Sequence, residues 1–237
     1  MLFNAWDAGT AKAVASAGAK AIATSSWSVA DANGFSDGEK IPLAVAIDNL
    51  RRIAGATELP VTADLESGYG DSPDAVANTV ELAIGARVVG CNLEDSFPAT
   101  GKLRATNEQV ARIQSAREAA HRFDIHFFLN ARTDVFFQEP PGRHDDLMLA
   151  EAVSRARAYA RAGADGIFAP GLVDIALIAR LAEASPIPLN IMVGDATPSL
   201  PALAEHGVAR VSYGPTPYLM AMKGLAASAR LALDSQS

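Results

Sequence analysis

Four short stretches of this 237-residue chain gather residue types that can do chemistry. They are Thr24-Ser25-Ser26-Trp27-Ser28, Asp64-Leu65-Glu66-Ser67-Gly68-Tyr69-Gly70, Asn92-Leu93-Glu94-Asp95 and Asn130-Ala131-Arg132-Thr133-Asp134. Asp64 and Glu66 stand two residues apart, and at that spacing on a strand both side chains face the same way. With Glu94 beside them they would repel one another unless a positive charge lay between. A hard cation relieves that repulsion, and Mg²⁺ prefers a few carboxylates together with waters and substrate oxygens. Any one of these acids alone reads as a solvated charge or a helix cap. Three at adjacent strand ends read as a metal site. Arg132 offers a planar fork suited to a substrate carboxylate, and it could also balance Asp134 or Glu94. Gly68-Tyr69-Gly70 lets the backbone approach a ligand closely. Trp6 and Trp27 could wall a pocket or pack a core. His121, His126, His144 and His206 show no metal-ligand spacing, and Cys91 lies in an apolar run.

These residues act together only if strands deliver them to one place. Short β-type runs occur at Leu2–Ala5, Ala21–Thr24, Val61–Leu65, Val88–Leu93, His126–Ala131, Gly166–Ala169, Leu189–Val193 and Val208–Tyr213. Amphipathic stretches near 8–18, 41–55, 73–86, 106–122, 147–162, 172–183 and 198–206 separate them, and a last helix spans 216–233. Ser72-Pro73 marks one helix start, and Thr106-Asn107-Glu108-Gln109 resembles a capping box. Gly18, Gly163 and Gly207 each follow a helix, where a left-handed residue is expected. Eight alternating units predict an α/β fold, a parallel (β/α)8 TIM barrel in a single domain over 1–237. A doubly wound sheet is the alternative, but no Gly-x-Gly-x-x-Gly turn follows an early strand. In a barrel the C-terminal strand ends carry the active site, and all four chemical stretches fall there.

A net charge of −7 with no Lys/Arg run excludes nucleic acid and anionic membrane as expected partners. No apolar run is long enough to span a bilayer, and no leader-type segment follows Met1. One cysteine allows no disulfide framework within the chain, which fits a reducing cytoplasm. Tyr218, Leu219, Met222, Leu225 and Leu231 give the last helix more apolar surface than one barrel requires, so a homodimer or homotetramer is expected. The small and polar residues of 96–104, after the fourth strand, are expected to form a lid that is mobile without ligand.

The chain resembles the isocitrate lyase/phosphoenolpyruvate mutase superfamily over nearly its whole length. The residues that carry the resemblance are Asn4-Ala5-Trp6-Asp7, Ala63 to Gly70, Asn92 to Asp95 and Asn130 to Asp134. It implies a (β/α)8 barrel, usually a homotetramer whose last helix packs on a neighbour, with Mg²⁺ and a 2-oxo acid or its enolate at the strand ends. Position by position, Asp64, Glu66 and Glu94 match the metal-site acids, some acting directly and some through water. Asp37, in Phe35-Ser36-Asp37-Gly38, matches an acid close to metal and substrate. Ser25, Ser26 and Trp27 match the segment that holds the substrate carboxylate, with Arg132 as its cationic partner. The isocitrate and methylisocitrate lyases carry Lys-x-Cys-Gly-His in the loop after the fourth strand. Here that loop, Ser96 to Arg104, holds neither cysteine nor histidine, so lyase action on isocitrate is not expected.

The expected function is Mg²⁺-dependent cleavage of a C–C bond in a small 2-oxo or 2-hydroxy carboxylate through an enolate, with Arg132 and Asp37 as catalytic residues. A phosphonopyruvate-type C–P hydrolase or a mutase is the close alternative. A barrel that binds a 2-oxo acid without turning it over is an alternative of another class.

Overall fold

Each short run of β-branched and small apolar residues becomes a strand in the computed structural model, which describes residues 1–234. The strands are β1 (Asn4–Ala5), β2 (Ile22–Thr24), β3 (Val61–Asp64), β4 (Gly90–Glu94), β5 (Phe128–Arg132), β6 (Gly166–Phe168), β7 (Leu189–Met192) and β8 (Val208–Ser212). They form one parallel sheet in sequence order, β1 to β8. A parallel bridge from Leu2 to Ser212 brings β8 back beside the first strand. The fold is a (β/α)8 TIM barrel.

The helices are α1 (Ala8–Ser16), α2 (Ser26–Ala32), α3 (Leu43–Gly55), α4 (Pro73–Gly85), α5 (Thr106–His121), α6 (Asp146–Arg161), α7 (Ile175–Ala184), α8 (Leu200–Glu205) and α9 (Thr216–Asp234). Ser72 caps α4 by accepting from Ala75 N–H, with Pro73 in the first turn. The capping box expected at 106–109 does not form. Ala105 occupies the cap position, and the Glu108 carboxylate turns to Arg104 at 2.7 Å instead of the backbone. A capping box forms elsewhere, between Asp7 and Thr10 at the start of α1. The short helix α2 also lies outside the expected elements. Its seven residues are too few for a periodic signal, and Ser25 caps it.

Gly163 and Gly207, at φ of 104° and 82°, turn the chain from helix to strand. Along the strands, odd-numbered side chains such as Ala63, Cys91, Leu93, Leu129, Ala131, Ile167 and Ile191 are buried in the main core with the helices. The even-numbered side chains therefore face the lumen, and at its C-terminal end they are mostly polar. Among the described residues, no helix is long and apolar enough to cross a membrane.

Candidate active site

Asn4, Thr24, Asp64, Asn92, Arg132, Phe168, Met192 and Ser212, all even-numbered and one from each strand, line a cavity of about 170 Å³ at the C-terminal rim. Ser25, Ser26 and Asp37 extend its polar wall, while Trp27, Phe137, Pro170 and Pro215 extend the apolar one. A larger cleft of about 540 Å³, around His121 and His126 ahead of β5, contains none of the expected site residues. The strand-end cavity is the candidate site because all four chemical stretches contribute to it or back it.

The structure places the sequence-predicted residues as follows. Asp64 accepts hydrogen bonds from Ser26 N–H at 3.1 Å and from Ser26 Oγ at 2.9 Å, so the start of α2 is tied to the end of β3. Trp27 stands edge-on to Tyr218 at 5.9 Å, and Tyr218 in turn meets Trp6 at 5.1 Å. Trp27 therefore walls the cavity, whereas Trp6 packs beneath it. Asp37 lines the cavity from the segment after α2. Burial pushes its carboxyl up, Asp64 adds to that, and Arg132 opposes it.

Glu66 and Glu94 lie behind the cavity surface and are 3% and 8% exposed. Burial, followed by the charge of Asp37, raises the Glu66 carboxyl to about 8. Burial also pushes Glu94 upward, against the opposing charge of Arg132. Arg132 Nη1 meets Glu94 at 2.7 Å, and its Nε and Nη2 grip Asp134 at 2.6 and 3.1 Å. Burial alone would lower the Arg132 pKa, but Glu94 and Asp134 outweigh it and hold the guanidinium charged. Asp64, Glu66 and Glu94 thus turn to Ser26, Glu39 and Arg132 respectively. Among the described residues, no three acidic, histidine or cysteine side chains are gathered into a ready ligand cluster.

Glu39 is one of the residues that sequence reasoning missed. Its N–H donates to Glu66 Oε2 at 2.5 Å. Its own carboxylate accepts from Ser67 Oγ at 2.6 Å and Tyr69 N–H at 2.8 Å. Glu39, Glu66 and Tyr69 all hold left-handed backbone, at φ of 60°, 51° and 55°. Such a conformation is costly for residues other than glycine and persists where surrounding contacts enforce it. The two loops that bear Asp37 and Glu66 are therefore latched to each other. Replacing Glu39 with Ala leaves Ser67 Oγ and Tyr69 N–H without their acceptor and should cost roughly 1–3 kcal/mol. Lys-C cleavage after Lys40 should then accelerate, while Glu39→Gln, which keeps a carbonyl acceptor, should resist. Equal cleavage of all three proteins would sink the latch.

The segment expected to be a mobile lid is a packed hairpin. Ser96 and Leu103 bridge antiparallel, Gly101 N–H donates to Phe97 O at 2.8 Å, and Gln138 Nε2 reaches Gly101 O at 3.0 Å. Arg104, fully buried, reaches Asp71 and Glu108 at 2.7 Å and lies 4.0 Å over the Phe97 ring. A Cβ on Gly38 would sit 3.3 Å from Pro98 O, so the hairpin also touches the Asp37 loop. A buried arginine with two acidic partners is the kind of anchor that polar loop composition does not reveal.

Comparison with known proteins agrees with this architecture. The family described as Phosphoenolpyruvate phosphomutase matches residues 1–233. A Burkholderia cenocepacia J2315 protein, provisionally designated a phosphonomutase, is similar in structure with a TM-score of 0.94 and 58% identity, over 97% of this chain and 92% of its own. An oxaloacetate decarboxylase of Pseudomonas savastanoi pv. phaseolicola is 32% identical over 192 residues, which are 77% of this chain and 62% of the decarboxylase. This chain thus spans less than two thirds of that relative. The structure of oxaloacetate acetylhydrolase with its product oxalate has a TM-score of 0.82 at 25% identity, over 97% of this chain and 81% of that one.

Proposed function

Since this chain belongs to the phosphoenolpyruvate phosphomutase family, and so to the isocitrate lyase/phosphoenolpyruvate mutase superfamily of lyases and mutases, we propose that it is a Mg²⁺-dependent lyase cleaving a C–C bond in a small 2-oxo or 2-hydroxy dicarboxylate. The observation that carries this reading is the two-sided cavity. One wall holds Asp37, Asp64 and hydroxyl groups with a single cation, Arg132, and the other is apolar.

The donor set fits a hard divalent cation. Asp37, Asp64, Glu66 and Glu94 act on one another electrostatically, all offer oxygen, and Arg132 is the only cation among them. Asp37 and Asp64, which face the cavity, would hold the ion, with Glu66 and Glu94 acting through water. Bound there, Mg²⁺ would act as a Lewis acid toward the keto and carboxylate oxygens of a 2-oxo acid. The remaining work belongs to the chain. Ser25 and Ser26 line the polar wall that would receive a substrate carboxylate, with Ser26 N–H and Oγ held here by Asp64. Arg132, with N–H groups left over from its two acidic partners, faces the oxygen on which negative charge grows as the bond breaks. Trp27, Phe168 and Met192 exclude water from the carbon skeleton.

The C–P reading draws support from the 58% identity to the B. cenocepacia protein. It is the weaker of the two, because a phosphonate dianion carries one more negative charge than a second carboxylate, and among the described residues Arg132 is the only cationic side chain that lines the cavity to meet it. A screen of oxaloacetate-type acids, alkylmalates and phosphonopyruvate, with and without EDTA, tests both. We expect pyruvate or glyoxylate release from a C–C substrate, lost with EDTA and restored by Mg²⁺. Phosphate release from phosphonopyruvate with no C–C turnover would overturn this choice, and EDTA-insensitive turnover would overturn the metal.

We also propose that the barrel assembles with copies of itself through α9, and that it works in a reducing cytoplasm, where its single buried cysteine needs no partner. On α9, Pro217 and Tyr218 are buried, while Leu219, Leu225 and Leu231 are 49%, 65% and 74% exposed. An apolar surface of that extent is stabilised when a second copy covers it. Sedimentation should show a dimer or tetramer at micromolar concentration, and Leu225→Lys should shift it toward monomer. A monomer in the unmodified chain would refute the assembly.

A further inference from the structure

At the opposite end of the lumen the even-numbered side chains are Leu2, Thr62, Phe128 and Arg210, and they border a cavity of about 350 Å³. Lys20 joins Arg210 on its wall, and among the described residues no acidic one lines it. In a chain of net charge −7 that combination needs a reason.

The other arginines that the fold buries wholly or in part all have oxygen partners. Arg104 meets Asp71 and Glu108, Arg117 meets Asp165, Arg132 meets Glu94 and Asp134, and Arg155 meets Asp95. Arg112 donates to the carbonyls of Gly70, Asp71 and Ser67. Arg210 differs from them. Its guanidinium lies 5.2 Å over the Phe128 ring, its Nε is buried without a hydrogen-bond acceptor, and among the described residues it forms no ion pair. Burial pushes its pKa down to about 10. Thr62 Oγ1, in the same cavity, is likewise buried without a partner.

A residue needed only to plug the barrel mouth would not carry a charge, since a methionine fills similar space without the desolvation cost. An arginine fork, an ammonium and a hydroxyl around one small space make a set of donors for an oxyanion. We propose that the N-terminal mouth of the barrel binds a small dianionic oxyanion of the phosphate type, with Arg210 as its main contact and Lys20 and Thr62 as supports. The site lies at the end of the lumen away from the candidate active site and does not depend on the proposed reaction.

Calorimetric titration of the full chain with inorganic phosphate, at constant ionic strength set by NaCl, tests this. One saturable site is expected, with affinity reduced at least about tenfold in Arg210→Met and a few-fold in the near-isosteric Thr62→Val. Arg132→Lys, at the other end of the lumen, should leave it intact when measured below that variant's melting temperature. Absence of saturable binding would overturn the proposal, as would binding that survives Arg210→Met or disappears in Arg132→Lys. Succinate binding in place of phosphate would overturn the assigned ligand class. Should Arg210→Met fail to fold, Thr62→Val and Lys20→Met carry the test, and unchanged affinity in both would count against the site.

Discussion

Arg132→Lys is expected to lower kcat/KM by roughly a hundredfold or more while leaving Mg²⁺ affinity almost unchanged. Lysine keeps the charge but cannot reproduce the guanidinium fork, which holds Asp134 with two nitrogens and Glu94 with the third. A cation is not a metal ligand, so the loss belongs to the substrate side. One charge-assisted contact made more strongly in the transition state corresponds to about 2–4 kcal/mol, which is where the hundredfold comes from. The structure adds a second consequence. Both acids are largely buried, so a lysine that satisfies one leaves the other short of a partner, and the melting temperature should fall as well. Turnover, metal affinity and melting temperature measured on this one variant separate the roles. A lowered melting temperature with near-normal turnover would reduce Arg132 to a brace for its acidic neighbours.

The barrel was legible because its signals are periodic. Eight apolar runs, spaced by helical stretches and closed by glycines, specify strand order without any knowledge of side-chain contacts. The polar residues at even positions on β3, β4 and β5 were legible for the same reason, since alternation along a strand assigns them all to the lumen. What stayed hidden depends on partners distant in the chain. Glu39 reads as an ordinary loop acid until it is found 27 residues from Glu66, donating a backbone N–H to it. The 96–104 hairpin reads as a flexible lid until Arg104 is seen buried between Asp71, Glu108 and Phe97. Asp64 and Glu94 end β3 and β4, and Glu66 follows two residues after Asp64, as the strand assignment expects. Their orientations, toward Ser26, Glu39 and Arg132, depend on those same distant contacts and could not be read from spacing.

Asp95 should prove more costly to remove than any of the acids that face the cavity. It is fully buried directly behind the site, where its carboxylate accepts from Thr133 Oγ1 at 2.8 Å, Arg155 Nη1 at 3.0 Å and Tyr159 Oη at 2.7 Å. Its other oxygen takes Asp134 N–H at 2.9 Å. Burial pushes its pKa up, and Arg155 is the largest influence holding it charged. Asp95→Ala therefore leaves the buried Arg155 with only the half-exposed Glu151 as an acidic partner, and strands a phenol and a threonine hydroxyl at once. Breaking a buried pair from one side costs about 3–5 kcal/mol, which in a chain of this size lowers the melting temperature by roughly 10 °C or more. Removing the arginine as well, in Asp95→Ala/Arg155→Met, should cost at least about 1 kcal/mol less than the two single losses added together, because the only charge then left without its partner is the half-exposed Glu151. The effect should reach the site. Asp95 fixes Asp134 N–H, Asp134 grips Arg132, and Arg155 Nη2 also donates to the Arg104 carbonyl at the foot of the hairpin at 3.1 Å. Below its melting temperature, Asp95→Ala should thus lose turnover in the same direction as Arg132→Lys, with Mg²⁺ binding less affected. Additive losses in the double variant, or a folded Asp95→Ala enzyme with normal kcat, would show that this buried network supports the barrel without positioning the arginine.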